Sequence, residues 1–133
     1  MPRLIYIDTN VYLHYLLRRK DKLRPIGEFA FELLRRAVKC EFEILISDVV
    51  LDELKNNTSK EKINLLLRML KRKLVPVRKD NDAVLQAQKI SKTDFWDALH
   101  YVIAKREGAE IIVTRNVQHF AFSDLEVKFP ENL

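Results

Sequence analysis

The residues with the most chemical potential in this chain are Asp8, Glu53, Asp94, Asp97 and Asn116. Asp8 closes the apolar run Leu4 to Ile7. Asp94 and Asp97 are three apart, so they project from adjacent turns of one helix face. Asp97 is hemmed by Phe95, Trp96, Ala98 and Leu99, where a carboxylate is expensive unless something pairs with it. Clustered carboxylates repel one another, and their pKa values rise unless a cation intervenes. Hard oxygen donors with room for water suit Mg2+ or Mn2+. Such an ion lowers the pKa of a bound water and steadies the charge of a phosphodiester in its transition state. The chemistry that fits is therefore metal-assisted phosphodiester hydrolysis, with one ion or two. No Ser/His/Asp or Cys/His arrangement stands out, which points away from a covalent nucleophile.

These side chains need elements that bring them together. Leu4 to Ile7 reads as a central strand, because its apolar character does not alternate. A helix over Val11 to Arg19 follows the capping side chains of Asp8-Thr9-Asn10. Asp21 to Arg24 is a polar break, and Pro25 opens a second helix at its first turn. There Ile26, Phe29, Ala30, Leu33, Leu34, Ala37 and Val38 form one apolar stripe. Glu43 to Ile46 is a second strand, with Ser47 or Asp48 capping a short helix that carries Glu53. Ser59 starts another helix reaching about Lys73. Leu74 to Val77 is a strand that Pro76 assigns to a sheet edge. Asp80 to Ile90 is helical, and Thr93 or Asp94 caps a helix to Glu107 that Gly108 ends. Ile111 to Val113 is a buried strand, Thr114 to Phe120 a turn with a short helix, and Glu126 to Phe129 a fifth strand. Strands alternating with helices predict a three-layer α/β/α fold with a short, mostly parallel sheet of four to five strands. In such sheets, sites form beyond the carboxyl ends of the strands.

Composition agrees with that reading. The 133 residues suit one domain with one core, and 47% hydrophobic residues are enough to fill it. Two glycines and four prolines are too few for a sandwich or barrel of many tight turns. The net charge of +5 makes a nucleic acid a reasonable partner. The runs Arg18-Arg19-Lys20 and Lys71-Arg72-Lys73 would track an RNA backbone or simply mark wet helix ends. Cys40 is the single cysteine and cannot form an internal disulfide. The amino-terminal residues lack the apolar core of a signal peptide, and no apolar run has the length of a membrane span. The expectation is a cytoplasmic protein away from the membrane.

At the same residues the sequence resembles the PIN-domain family of nucleases over nearly its whole length. The apolar strand with Asp8-Thr9-Asn10 is similar to the family's first acidic motif. Ser47-Asp48-Val49-Val50-Leu51-Asp52-Glu53-Leu54 is similar to the segment bearing the second acid, and so selects Glu53 over the adjacent Asp52. Asp94-Phe95-Trp96-Asp97-Ala98-Leu99-His100-Tyr101 resembles the third motif. Ile112-Val113-Thr114-Arg115-Asn116, with Phe120 after it, resembles the fourth. The resemblance implies a metal-dependent ribonuclease. It also implies a homodimer and, as in VapC-like relatives, a toxin with an antitoxin partner or else an RNA-processing enzyme. It makes Asp8, Glu53 and Asp97 the catalytic, metal-holding acids. The family often has a fourth acid, two residues after the Thr or just before the Phe. Here those positions hold Asn116 and His119, so the fourth ligand is an amide, a water or nothing, with Asp94 as a nearby supplement.

Several residues carry two readings. Asp8 and Asp94 are metal ligands or helix caps. Asn116 is a site residue or a turn former. Thr9, Asn10 and Thr114 contact substrate or phosphate, or they brace strand ends and caps. Arg115 meets the scissile phosphate or lies on the surface. His14, His100 and His119 show no pairing pattern and read as structural or surface histidines. Trp96, Tyr12 and Tyr15 either stack bases or pack. A competing function is a PIN-like module that binds RNA or protein without cutting. A phosphoacceptor signalling domain also clusters acids beyond a parallel sheet, but it requires a supporting Lys that Thr114-Arg115 does not supply.

Overall fold

The computed structural model describes residues 3–19 and 25–133. Residues 20–24, which hold the expected polar break and Lys20, lie outside the described residues. Five strands form one sheet, all parallel, in the order β3-β2-β1-β4-β5. They are β1 (Arg3–Ile7), β2 (Phe42–Ser47), β3 (Leu74–Val77), β4 (Ile111–Val113) and β5 (Glu126–Lys128). Among the described residues the α-helices are α1 (Thr9–Leu16), α2 (Ile26–Val38), α3 (Asp48–Asn57), α4 (Lys60–Leu70), α5 (Asn81–Ile90) and α6 (Phe95–Arg106). The three layers expected from the alternation are present, and the sheet is more uniformly parallel than expected.

The central position of β1 follows from its residues. Ile5, Tyr6 and Ile7 are fully buried, as a strand covered on both faces requires. β1 pairs with β2 on one side and β4 on the other, with Ile5 opposite both Ile44 and Ile111. Pro76 lies in the edge strand β3 and is exposed there, where its missing N–H breaks no ladder. The stripe of α2 is buried at Ile26, Ala30, Leu33, Leu34 and Ala37, whereas Val38 is exposed because the helix ends there. The helix expected to run to Lys73 stops at Leu70 and tightens into a 3-10 turn over Lys71–Lys73.

Side-chain caps set several starts. Ser47 Oγ accepts the Val50 N–H of α3 at 3.2 Å, Ser59 Oγ the Lys62 N–H of α4 at 3.3 Å, and Asp80 the Ala83 N–H of α5 at 2.8 Å. Asp80 also receives both terminal nitrogens of Arg106 at 2.9 Å, tying the start of α5 to the end of α6. Gly108, at φ +82°, follows α6 in the left-handed conformation that suits glycine at a helix end.

Strand order locates the crevice. The chain steps outward from β1 through β2 to β3, then returns to the other side of β1 with β4 and β5. The reversal falls between β1 and β4, and ligands bind at the carboxyl ends of such a pair.

Gly27, in the first turn of α2, is required for a different reason. A Cβ there would stand 2.7 Å from the carbonyl oxygen of His14 and 3.1 Å from that of Arg19. Backbone cannot yield as a flexible side chain would. Gly27→Ala is therefore expected to cost about 1–3 kcal/mol, measured as a lowered urea midpoint with unchanged slope. A change within about 0.5 kcal/mol would mean that α1 and α2 are not held this closely.

Candidate active site

Asp8 leaves β1 at its carboxyl end. Its N–H donates to Val113 O at 2.9 Å, which binds it to the end of β4. It occupies the N-cap position of α1, yet its side chain makes no capping bond. Instead Oδ2 accepts the Thr114 hydroxyl at 2.9 Å. Thr114 Oγ1 in turn accepts the Asn116 N–H at 3.0 Å, so the Thr114 proton is directed to Asp8. The Asp8 residue is only 5% exposed. Burial pushes its carboxyl up. The charge of His100 and the Thr114 hydroxyl pull it down, and Glu53 adds to the rise.

Glu53 sits on α3, half-buried beside the exposed Asp52. Its Oε1 accepts two bonds, from Thr9 Oγ1 at 2.6 Å and from His100 Nε2 at 2.8 Å. Burial raises the Glu53 carboxyl, but the bond and charge of His100 and the Thr9 hydroxyl outweigh it and hold the group low. Asp97, near the start of α6, has the opposite balance. Burial and the charge of Asp8 raise it, and Asp94 adds to that, against His100 and His119. Asp94 is exposed at the N-cap of α6 and makes no side-chain cap. Glu53 is thus near enough to act on Asp8, and Asp8 and Asp94 are near enough to act on Asp97.

The other expected residues divide between the site and its supports. The hydroxyls of Thr9 and Thr114 orient Glu53 and Asp8. Asn10 lies half-buried in the first turn of α1, and Asn116 supports Thr114 through its backbone. Arg115 is directed elsewhere. Its Nη1 and Nη2 meet the Glu131 carboxylate at 2.7 and 2.6 Å, and its guanidinium lies 5.8 Å from the Phe29 ring centroid and 5.1 Å from that of Phe129. A bidentate, aromatic-flanked arginine is a fixed structural part, so contact with a phosphate would require it to leave Glu131. The run Lys71–Lys73 precedes β3 and lies at the amino ends of the strands, the edge opposite Asp8.

Two histidines acquire partners that their spacing did not reveal. His100 is buried, with Nε2 on Glu53 and Nδ1 2.5 Å from the Tyr6 hydroxyl. Burial lowers its pKa, but the bond to Glu53 and the charges of Asp8, Glu53 and Asp97 leave it raised. A signal was available: position 100 is one helical turn from Asp97 on a helix that is apolar around it. His119 is half-exposed, with Nδ1 3.6 Å from Asp97 Oδ2.

The donor chemistry fits a hard divalent cation: three carboxylates, two of them raised by burial and by a neighbouring acid. Among the described residues, no group of three or more His, Cys, Asp or Glu side chains is gathered closely enough to hold a metal ion by itself. Thr114 engages Asp8, while His100 and Thr9 engage Glu53. Mg2+ keeps several waters and is bound through one or two carboxylates, so an ion here would be held by few protein oxygens.

Comparison with known proteins agrees with this layout. The family model described as "PIN domain" matches residues 5–118, a span that includes Asp8, Glu53, Asp97 and Asn116. A solved structure with a similar fold is VapBC2 from Rickettsia felis bound to a DNA fragment from its promoter. It has a TM-score of 0.63 and 19% identity, over 95% of this chain and 98% of that one. Comparison with curated protein sequences gives no match. The family match covers most of the chain and every acid of the crevice, and the chain belongs to the PIN-domain family.

Proposed function

We propose that this chain is a metal-dependent endoribonuclease in which Asp8, Glu53 and Asp97 hold Mg2+ or Mn2+, directly or through water, with Asp94 and Asn116 at the margin. The observation that carries this reading is the pairing of a buried Asp8 with a part-buried Asp97, each pushed up by burial and Asp97 further by Asp8. A protein gains nothing in stability from two such acids together, but a cation between them removes the cost. When bound, the ion lowers the pKa of a water and neutralises charge on the phosphodiester.

The chain's own residues supply orientation. Thr114 aims its proton at Asp8 Oδ2 and so fixes that carboxylate. Thr9 and His100 fix Glu53 through one oxygen. His119, beside Asp97 and half-exposed, is placed to donate to a phosphate oxygen. Of the residues expected to touch substrate, Asn10 remains the most available, because Thr9 and Thr114 are engaged with the acids and Arg115 with Glu131.

The likeness to a VapBC complex supports a toxin role with an antitoxin partner. The exposed Leu85, Ile90 and Trp96 on α5 and α6 support a homodimer. Among the described residues, no helix is long and apolar enough to cross a membrane; action on RNA in the cytoplasm is part of this proposal. The competing reading, a non-cutting PIN-like module, draws on Asn116 and His119 at the positions of the fourth acid.

A cleavage assay on labelled single-stranded RNA separates the two. With Mn2+ the protein should cut, and chelator should stop it. Asp8→Asn or Asp97→Asn should reduce the rate by at least about 100-fold, the scale on which loss of one electrostatic contribution to a transition state is felt. Both variants should keep the wild-type circular dichroism spectrum. Full cleavage by either variant would remove the acids from the mechanism, and no cleavage by the wild type would favour the module.

A stability measurement reads the same acids without substrate. The folded-state pKa of Asp8 is raised, so the folded protein holds that proton more tightly than the unfolded chain. Its ionised carboxylate therefore costs stability above the raised pKa, and the cost disappears as pH falls through it. At neutral pH without metal, Asp8→Asn should melt higher than wild type, while added Mn2+ should raise the melting temperature of wild type only. A lower-melting Asp8→Asn would show that the carboxylate is already compensated by the protein alone.

A further inference from the structure

Among the described residues, the buried side chains of Asp8, Thr9, Ser47, His100 and Thr114 belong to two hydrogen-bonded chains, each ending on a candidate acid, whereas the buried Tyr12 hydroxyl belongs to neither. Thr114 ends on Asp8. The other chain is longer. Ser47 Oγ lies 2.8 Å from the Tyr6 hydroxyl, that hydroxyl 2.5 Å from His100 Nδ1, and His100 Nε2 2.8 Å from Glu53 Oε1, where Thr9 also donates. It runs from β2 through β1 and α6 to α3, joining four elements at the floor of the crevice. Buried polar chains cost desolvation that well-packed apolar residues would avoid. Here that cost falls on groups that hold an acid in place.

The geometry points to His100 as a positioning residue that fixes Glu53 for the cation, with Tyr6 and Ser47 fixing His100 in turn. This rests on the reading of Glu53 as a metal-holding acid. Donors and acceptors match along the whole chain. Ser47 Oγ accepts the Val50 N–H, so its proton can go to the Tyr6 oxygen, the Tyr6 proton to Nδ1, and the Nε2 proton to Glu53. If the imidazole carries a second proton, the first two bonds reverse and the bond to Glu53 does not change. The positioning is therefore independent of the histidine's charge. Both donors on Glu53 fall on Oε1, so Oε2 is the oxygen left to the ion or its water.

Supporting partners of metal ligands typically change metal affinity about 10–100-fold. The test measures Mn2+ affinity by titration calorimetry, alongside the melting temperature of the metal-free protein, for wild type, H100L, H100Q, Y6F and E53Q. H100L should bind Mn2+ about 10–100-fold more weakly, and it should melt lower than wild type because Tyr6 and Glu53 each lose a partner. H100Q, whose amide can still donate to Glu53, should recover much of the affinity. Y6F keeps its ring and loses only the hydroxyl, and it should show a smaller loss. In the metal-free wild type, long-range proton–nitrogen NMR should find Nε2 of His100 protonated.

Wild-type Mn2+ affinity in folded H100L would overturn the proposal. So would equal affinities in Y6F and wild type, or an imidazole protonated on Nδ1 alone. If H100L does not fold, H100Q and Y6F decide by the same comparison. An E53Q protein that binds Mn2+ like wild type would instead remove the ligand reading of Glu53, a failure distinguishable from failure of the relay.

Discussion

The architecture depends on one constraint, a negative charge buried at the carboxyl end of the central strand. Asp8 sits between the ends of β1 and β4 with one hydroxyl donor to its carboxylate. The charge of His100, the Thr114 hydroxyl and the Thr9 backbone N–H offset part of the cost of burying that carboxylate, but burial outweighs them. The fold tolerates it because β1 is anchored on both sides by parallel neighbours whose apolar side chains fill the core. The fully buried Ile5, Tyr6 and Ile7 fix the strand, and the strand fixes the acid. Elements distant in sequence, α3 and α6, then bring Glu53 and Asp97 within electrostatic reach of it.

Much of the fold was legible because each element carried its own local signal. Ser47 read as one of two caps and is the cap, and the helix starts read at Ser59 and Asp80 are where those residues cap α4 and α5. Pro76 read as an edge residue and lies in the edge strand. Gly108 read as a helix terminator and takes a positive φ. Where the reading stopped short, the cause is three-dimensional. A cap position and a capping bond look identical in sequence, so Asp8 carried two readings. Only the Thr114 contact, across 106 positions of chain, shows that its carboxylate is used elsewhere. Arg115 looked free because Glu131 is sixteen residues away on the far side of β5. His100 looked like a core histidine because its partners Tyr6 and Glu53 are separated from it by 94 and 47 positions. Spacing along the chain reports neighbours on one element, and these contacts join different ones.

The polar interior divides into acids and the groups that aim them. Thr9, Thr114 and His100 each donate to an acid, and Tyr6 and Ser47 stabilise the donor behind it. This gives a physical meaning to the four short family motifs. Thr9 of the first segment donates to Glu53 of the second, His100 of the third donates to Glu53, and Thr114 of the fourth donates to Asp8 of the first, so the segments act as one hydrogen-bonded unit. His119 places an imidazole beside Asp97 among the acids of the site.

The central claim is that these acids share a cation, and diffraction from crystals grown with Mn2+ tests it most directly. Anomalous scattering locates the ion independently of any activity. The account requires a peak at the carboxyl ends of β1 and β4, within ligand or water-bridged distance of the Asp8 and Asp97 carboxylates. Crystals saturated with Mn2+ that show no peak there, with both side chains ordered, would contradict it.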